Sequence, residues 1–136
     1  PEESGEFVKR LKEEEIDSIF LLSPTTEDER IKLIAKQASG FLYYVSLKGV
    51  TGAANIDIEQ VSENVKNIQK YSDLPVAVGF GVRDPKTAKA VSKISDGVVI
   101  GSRIVREIEE SDKVEIIPNV KKLMHSMKAA IDSSSA

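Results

Sequence analysis

The 136-residue sequence predicts an α/β fold in which parallel strands alternate with helices. Short apolar runs that are typical of buried strands recur along the chain, each followed by a segment with helical spacing of apolar residues. Three of these runs end in glycine clusters, at Gly49–Gly52, Gly79–Gly81 and Gly101–Ser102. Glycine between a strand and a helix N-terminus lets backbone N–H groups approach an anion closely. The three turns therefore suggest one shared phosphate pocket.

The first half of the chain carries two of the predicted strands. A helix over Glu3–Glu14 precedes a strand over Ser18–Leu22, which is apolar on both faces like a buried parallel strand. Thr26 and Glu29 form a capping box, which predicts that the second helix starts there. The second strand is predicted over Phe41–Ser46, and a long loop with the first glycine cluster follows it.

The second half carries the third strand, over Val76–Val78, and the fourth, over Gly97–Ile100. Asp84 is expected to cap the helix between them, with Pro85 at its first position. The other helices are predicted to begin near Ile58, Arg103 and Pro118.

Four strand–helix units with glycine turns at strand carboxyl ends fit either an open sheet or part of a (β/α)₈ barrel. A full barrel takes about 250 residues, so this chain would hold half of one. No linker divides residues 1–136, which we expect to form one domain. Half a barrel leaves two unpaired edges and an uncovered inner face, and both favour association.

Composition narrows the classes of function. A net charge of −3 and a pI near 5.3 argue against nucleic acid as the main partner. The sequence contains no cysteine, which excludes a thiol nucleophile and a thiolate metal site. No apolar stretch approaches the roughly 20 residues of a membrane span, and Pro1–Ser4 does not resemble the start of a signal peptide. The expected location is the cytoplasm.

The candidate phosphate-binding turns have a plain structural alternative, since the same glycines also make tight turns. Barrel enzymes often bind phosphate with two neighbouring strand loops and the N-terminus of a short helix. The residues that would do so here are Gly79, Phe80, Gly81, Gly101 and Ser102. The loop at Gly49–Gly52 is either a mobile cover over the ligand or a simple turn.

Other polar residues give weaker signals. Tyr43 and Tyr44 are adjacent on a strand, so they point to opposite faces, one of them into the barrel. Arg83 could pair with an anion or with a neighbouring acid, and His125 is expected on the surface of the last helix. Asp57 and Asp84 are expected to be helix caps, so no strand end offers a carboxylate for acid–base chemistry.

The stretch Phe41–Arg106 resembles the C-terminal half of the tryptophan synthase alpha chain. The matching motifs are Tyr43, Ser46, Gly49–Ala53, Gly79–Val82, Asp96–Ser102 and Ile104–Val105. The sequence Gly-Val-Thr-Gly-Ala after a tyrosine-containing strand is fairly specific to that family. Pro1–Ser4 and Ser23–Thr26 also resemble the family, so the likeness covers nearly the whole chain.

The resemblance implies cleavage of indole-3-glycerol phosphate to indole and glyceraldehyde 3-phosphate, with no metal or organic cofactor. It implies a tryptophan synthase beta chain as partner. The backbone at Gly52, Gly81, Gly101 and Ser102 would hold the substrate phosphate, Thr51 would belong to the closing loop, and Tyr43 would line the pocket. The family's catalytic Glu and Asp would lie before residue 1, so the chain is predicted to have no catalytic residue and to be inactive alone.

Two alternatives remain open at this point. The chain could be half of another phosphate-binding barrel, such as a histidine-biosynthesis isomerase, although those halves carry an acidic residue at a strand end. It could also be a non-catalytic half-barrel that self-associates and binds phosphate weakly. The expected protein partners are accordingly the missing N-terminal half-barrel or a second copy of the chain.

Overall fold

The computed structural model describes residues 4–46, 57–79 and 81–133. Within these residues, four strands form one sheet in the order β1-β2-β3-β4, and all neighbours are parallel. The strands are β1 (Phe20–Leu22), β2 (Leu42–Val45), β3 (Val76–Gly79) and β4 (Gly97–Val99). Because each strand lies beside its predecessor, the order never reverses as it does in a doubly wound sheet. All strand carboxyl ends therefore lie along one edge.

Helices alternate with the strands, as predicted. They are α1 (Gly5–Glu13), α2 (Asp28–Gln37), α3 (Ile58–Gln69), α4 (Pro85–Ser92), α5 (Ser102–Glu110) and α6 (Ile116–Asp132). None of the helices in these described ranges is long and apolar enough to cross a bilayer.

The core lies between the helices and one face of the sheet, which we call the outer face. Alternate strand residues supply its sheet side, namely Leu22, Leu42, Tyr44, Val76 and Val78, all fully buried. The helices supply Ile31, Ile34, Val61, Val65, Ile68, Ala88, Val91 and Met127. The apolar stripe predicted for α3 is thus confirmed, because Val61, Val65 and Ile68 are buried in this core.

The opposite face of the sheet, which we call the inner face, is uncovered at β1. Leu21, Tyr43, Ala77 and Gly97 lie side by side across the four strands on this face. Leu21 is 64% exposed. No helix or strand of the described residues covers the inner side of this apolar strand, which agrees with the uncovered inner face expected for half a barrel.

The starts of the second and last helices differ from the sequence prediction in an informative way. The helix assigned to the Thr26 capping box begins at Asp28, and the Thr26 Oγ1 accepts a hydrogen bond from the Ser23 backbone N–H at 2.9 Å instead. The Thr26 hydroxyl could accept a hydrogen bond either from a helix N-terminus or from the backbone of a turn, and here it accepts the bond of the turn. The last helix begins at Ile116, with Pro118 in its first turn, where a missing N–H removes no intrahelical bond.

The two aspartate caps are confirmed. Asp57 Oδ1 accepts from the Gln60 N–H at 3.1 Å, and Asp84 Oδ1 accepts from the Thr87 N–H at 2.8 Å. Pro85 follows Asp84 at the first helical position, as expected. These caps begin the helices that follow β2 and β3 in the chain.

Candidate functional site

The glycine turns after β3 and β4 lie next to each other. Gly79 is the last residue of β3 and pairs with Val99, the last residue of β4. Gly81 has a φ of +86°, a left-handed conformation that glycine adopts readily and other residues rarely do. Gly101 follows β4 closely, so both turns occupy the carboxyl edge of two paired strands.

Helix α5 begins at the second of these turns. Gly101 is its N-cap and Ser102 its first residue, and both are exposed. The Gly101 carbonyl accepts from the N–H groups of Ile104 and Val105, at 2.9 and 3.2 Å. A Cβ added to Gly101 would meet no described atom within 4 Å. The helix N-terminus is thus open, with a dipole that favours an anion.

Ser46, directly after β2, joins the end of that strand to the end of β3. Its backbone N–H and its hydroxyl both donate to the Gly79 carbonyl, at 3.1 and 3.0 Å. Ser46 is only 7% exposed. The sequence argument used Ser46 only as part of the family resemblance and did not predict this contact, which depends on strand register.

The two adjacent tyrosines point to opposite faces, as predicted. Tyr44 lies in the core, where its hydroxyl accepts a hydrogen bond from Asn64 Nδ2 of α3 at 2.9 Å. Burial raises the pKa of the Tyr44 phenol. Tyr43 is half-buried on the inner face, and its hydroxyl lies against Gly79. Tyr43 is therefore the tyrosine beside the candidate site.

The aspartates near the sheet have structural partners. The Asp96 carboxylate accepts from the Val76 N–H at 2.8 Å, at the amino end of β3 and so opposite the candidate site. The Thr87 N–H lowers the pKa of Asp84, the α4 cap.

The inner face of the sheet carries no acidic residue among the described strand residues, which are Leu21, Tyr43, Val45, Ala77, Gly79, Gly97 and Val99. Within the described ranges, no group of three His, Cys, Asp or Glu residues could hold a metal.

The structure does not bring every predicted residue into this description. Thr51, Gly52 and Phe80, and the first glycine loop as a whole, lie outside the described residues. Arg83 and His125 are exposed, the latter on α6.

Arg103 follows Ser102 but is engaged within its own helix. Its Nη2 pairs with Glu107 Oε2 at 2.6 Å, one turn along α5. Neither residue of this pair was singled out from the sequence, although the spacing of four residues is typical of helical ion pairs.

Comparison with known proteins decides the family. The family model for the tryptophan synthase alpha chain matches residues 1–132. The chain belongs to the tryptophan synthase alpha chain family. It is 54% identical over 132 residues to the tryptophan synthase alpha chain of Janthinobacterium sp. (strain Marseille), covering 97% of this chain and 50% of that protein. For the alpha chain of Nitrosomonas europaea the identity is 50% over 135 residues, covering 99% and 49%. The chain thus spans about half the length of the curated relatives it matches.

Solved structures agree on the architecture. The tryptophan synthase alpha subunit of Legionella pneumophila str. Paris superposes with a TM-score of 0.83 at 32% identity, covering 98% of this chain and 49% of that one. Tryptophan synthase from M. tuberculosis gives 0.80 at 27% identity, covering 96% and 46%. The predicted half of a (β/α)₈ barrel is confirmed, and the alternative of an open sheet is set aside.

Proposed function

We propose that this chain supplies the phosphate-binding half of a lyase barrel that cleaves indole-3-glycerol phosphate to indole and glyceraldehyde 3-phosphate. One observation supports the proposal: Gly79 and Val99 end two paired strands, so the glycines that follow them, Gly81 and Gly101, lie after the same carboxyl edge, beside the open N-terminus of α5. Family membership supports the choice of substrate. The same membership argues against the histidine-biosynthesis alternative.

In this site the chain's own groups would bind and orient the phosphate. Backbone N–H groups at Gly81, Gly101 and Ser102 would donate to its oxygens, and the Ser102 hydroxyl would add one more donor. The α5 dipole would favour the negative charge. Thr51 and Gly52, on the family's pattern, would join the same pocket, as would Phe80 between Gly79 and Gly81, and Tyr43 would face the organic part of the substrate.

A charge placed at the helix N-terminus tests this site. Ser102→Glu keeps a residue that helix N-termini favour, so the free energy of unfolding should be unchanged or slightly higher. The added carboxylate should nevertheless repel phosphate. The measurement is calorimetric titration with inorganic phosphate and with indole-3-propanol phosphate. Ser126→Glu on exposed α6 introduces the same charge away from the site and serves as the matched control. Equal binding by wild type and Ser102→Glu would contradict the proposed site.

The chain alone is proposed to be inactive. Cleavage of the carbon–carbon bond needs a general acid and base, and the described inner-face strand residues carry no carboxylate. On the family's pattern, those groups come from strands that precede residue 1. Purified protein of this sequence should therefore release no indole, measured by absorbance or by coupling to indole capture. A rate comparable to that of a whole alpha chain would refute this.

The uncovered inner face is proposed to be completed by the N-terminal half of the barrel. Leu21, on the inner face at β1, is exposed, and so are large apolar residues before β1 and after β4, namely Phe7, Ile16, Val105, Ile108, Val114 and Ile117. Val114 and Ile117 are 83% and 78% exposed. Burying such groups on a partner is favourable by about 25 cal/mol per Å². The barrel completed in this way would be the form that binds the tryptophan synthase beta chain.

Mixing experiments distinguish the partners. The first four strand–helix units of a relative's alpha chain, added to this chain, should restore indole formation at a one-to-one ratio. Leu21→Glu should weaken that restoration, whereas Leu33→Glu on the exposed side of α2 should not. A tight dimer of this chain, seen by sedimentation and not displaced by the N-terminal half, would instead favour the self-associating half-barrel.

A further inference from the structure

The carbonyl of Gly79 is held by two donors from a single residue on the neighbouring strand. The Ser46 backbone N–H donates at 3.1 Å and its hydroxyl at 3.0 Å, and both groups lie in the buried interior at the carboxyl edge of the sheet. The N–H bond continues the β2–β3 ladder by one residue. The hydroxyl bond is additional to it, so the ladder alone does not require a serine here.

A doubly held carbonyl restrains the direction in which the chain leaves β3. The peptide unit is planar, so the orientation of its C=O also sets the orientation of the N–H across the same bond. The Gly79 carbonyl is thus oriented by Ser46. Gly81, with its φ of +86°, follows two residues later and carries a candidate phosphate donor. Binding by preorganised backbone donors depends on such restraint, because ordering a loose turn costs free energy.

We propose that Ser46 is a positioning residue for the phosphate site: its hydroxyl aligns the turn after β3 so that the backbone of Gly81 faces the anion together with the α5 N-terminus. The inference rests on the proposed phosphate-binding function. Ser46 touches no substrate in this scheme and acts through the Gly79 carbonyl. Its hydroxyl therefore matters for ligand affinity beyond what it contributes to stability.

The chain contains a well-matched control for this idea. Ser18 precedes β1 at the amino edge of the sheet, is 8% exposed, and donates its hydroxyl to the Gln37 carbonyl at 3.2 Å. Ser18→Ala and Ser46→Ala each delete a buried hydroxyl that donates to a backbone carbonyl. Only Ser46 adjoins the candidate site, so the pair separates a general loss of stability from a specific loss of positioning.

The experiment titrates inorganic phosphate into the 136-residue protein and the two variants, with thermal unfolding measured in parallel. Both variants should lower the Tm by similar amounts. Ser46→Ala should also weaken phosphate affinity roughly fivefold to tenfold, the effect expected when one hydrogen bond that restrains the turn is lost. Ser18→Ala should weaken phosphate affinity by less than about twofold. Ser46→Thr, which keeps the hydroxyl, should restore most of the affinity. In ¹⁵N spectra, the phosphate-induced shift of the Gly81 amide should diminish in Ser46→Ala only.

The outcomes separate the two proposals. If wild type binds phosphate and Ser46→Ala binds equally well, or if Ser18→Ala loses as much affinity, the positioning role is overturned while the phosphate site stands. If wild type does not bind phosphate, both fall together. Should Ser46→Ala not fold, Ser46→Cys replaces the hydroxyl with a weaker donor of similar size, and its loss of affinity relative to Ser46→Thr gives the same comparison.

Discussion

The hydroxyl of Tyr43 on β2 occupies the space that a side chain at Gly79 on β3 would need. A Cβ built on Gly79 overlaps that oxygen, and it would also lie 2.6 Å from Tyr43 Cζ and 3.0 Å from Val99 Cβ. Tyr43 stands two residues before Val45, the direct partner of Gly79, on the same face of the sheet. The tyrosine ring therefore leans along the strand toward the carboxyl edge, over a position that only glycine leaves open.

Gly79→Ala should destabilise the protein through this contact. The added methyl group forces Tyr43 or the strands to move, and overpacking of this kind costs about 1–3 kcal/mol. Thermal or urea unfolding followed by circular dichroism measures the loss. Gly5→Ala, on α1 where an added Cβ meets nothing within 4 Å, is the control and should be neutral or slightly stabilising.

A double substitution checks the mechanism. In Tyr43→Ala the ring is gone, so adding Gly79→Ala should cost clearly less than it does in the wild-type background. If the two losses simply add, the tyrosine is not what excludes a side chain at Gly79.

Tyr44→Phe should lower the free energy of unfolding by about 1–3 kcal/mol. The substitution removes the acceptor of the Asn64 amide while leaving that partly buried donor in place, and an unpaired buried donor is costly. Chemical denaturation gives the value. Adding Asn64→Leu to Tyr44→Phe removes the unpaired amide donor, so the double variant should regain part of the lost free energy of unfolding. If the double variant is as unstable as Tyr44→Phe or less stable, the hydrogen bond is not the cause of the loss.

The link between α2 and α3 at Asp28 should depend on pH. Asp28 accepts from Asn67 Nδ2 at 2.8 Å and from the Tyr71 hydroxyl at 3.0 Å, and these bonds lower the pKa of Asp28 below its ordinary value of 3.8. A lowered folded-state pKa stabilises the fold above the unfolded pKa, and that stabilisation is lost as the pH falls through the folded value.

Tyr71→Phe removes one of these bonds but keeps the ring on which Lys32 lies, 5.2 Å from its centroid. The variant should therefore melt at a lower temperature than wild type at neutral pH, and the gap should narrow below about pH 4. Melting curves across pH 2–7 measure this. A gap of constant size would show that the carboxylate charge of Asp28 plays no part.

Asp84→Ala should destabilise α4 by about 1 kcal/mol, because the Thr87 N–H loses its capping acceptor. Asp84→Asn keeps an acceptor oxygen and should retain most of the stability. Because the pKa of Asp84 is lowered, the difference between wild type and Asp84→Ala should shrink in acid as the carboxylate is protonated. Equal stability of the Ala and Asn variants would contradict the capping role.

Features that depend on a few neighbouring residues were predictable from the sequence. The Asp57 and Asp84 caps and the α3 stripe need only local spacing, and the structure confirms them. Thr26 shows the limit of local inference, because the same hydroxyl could serve a helix cap or a turn and the structure assigns it to the turn. The Ser46–Gly79 link and the lean of Tyr43 join residues more than thirty positions apart. Such contacts follow from strand register, which no local pattern sets.

By itself the sequence determined the parallel strand–helix repeat, the family and the position of the glycines after β3 and β4, since periodicity and short motifs act through nearby residues. Only the tertiary structure decided that Gly79 and Val99 end paired strands, that Tyr43 rather than Tyr44 lies beside the candidate site, and that Leu21 is left exposed. These three features depend on which strands pair, on the register in which they pair, and on which elements cover each face of the sheet. The physical reason is that side chains alternate between faces, so one pairing register determines both the core and the site.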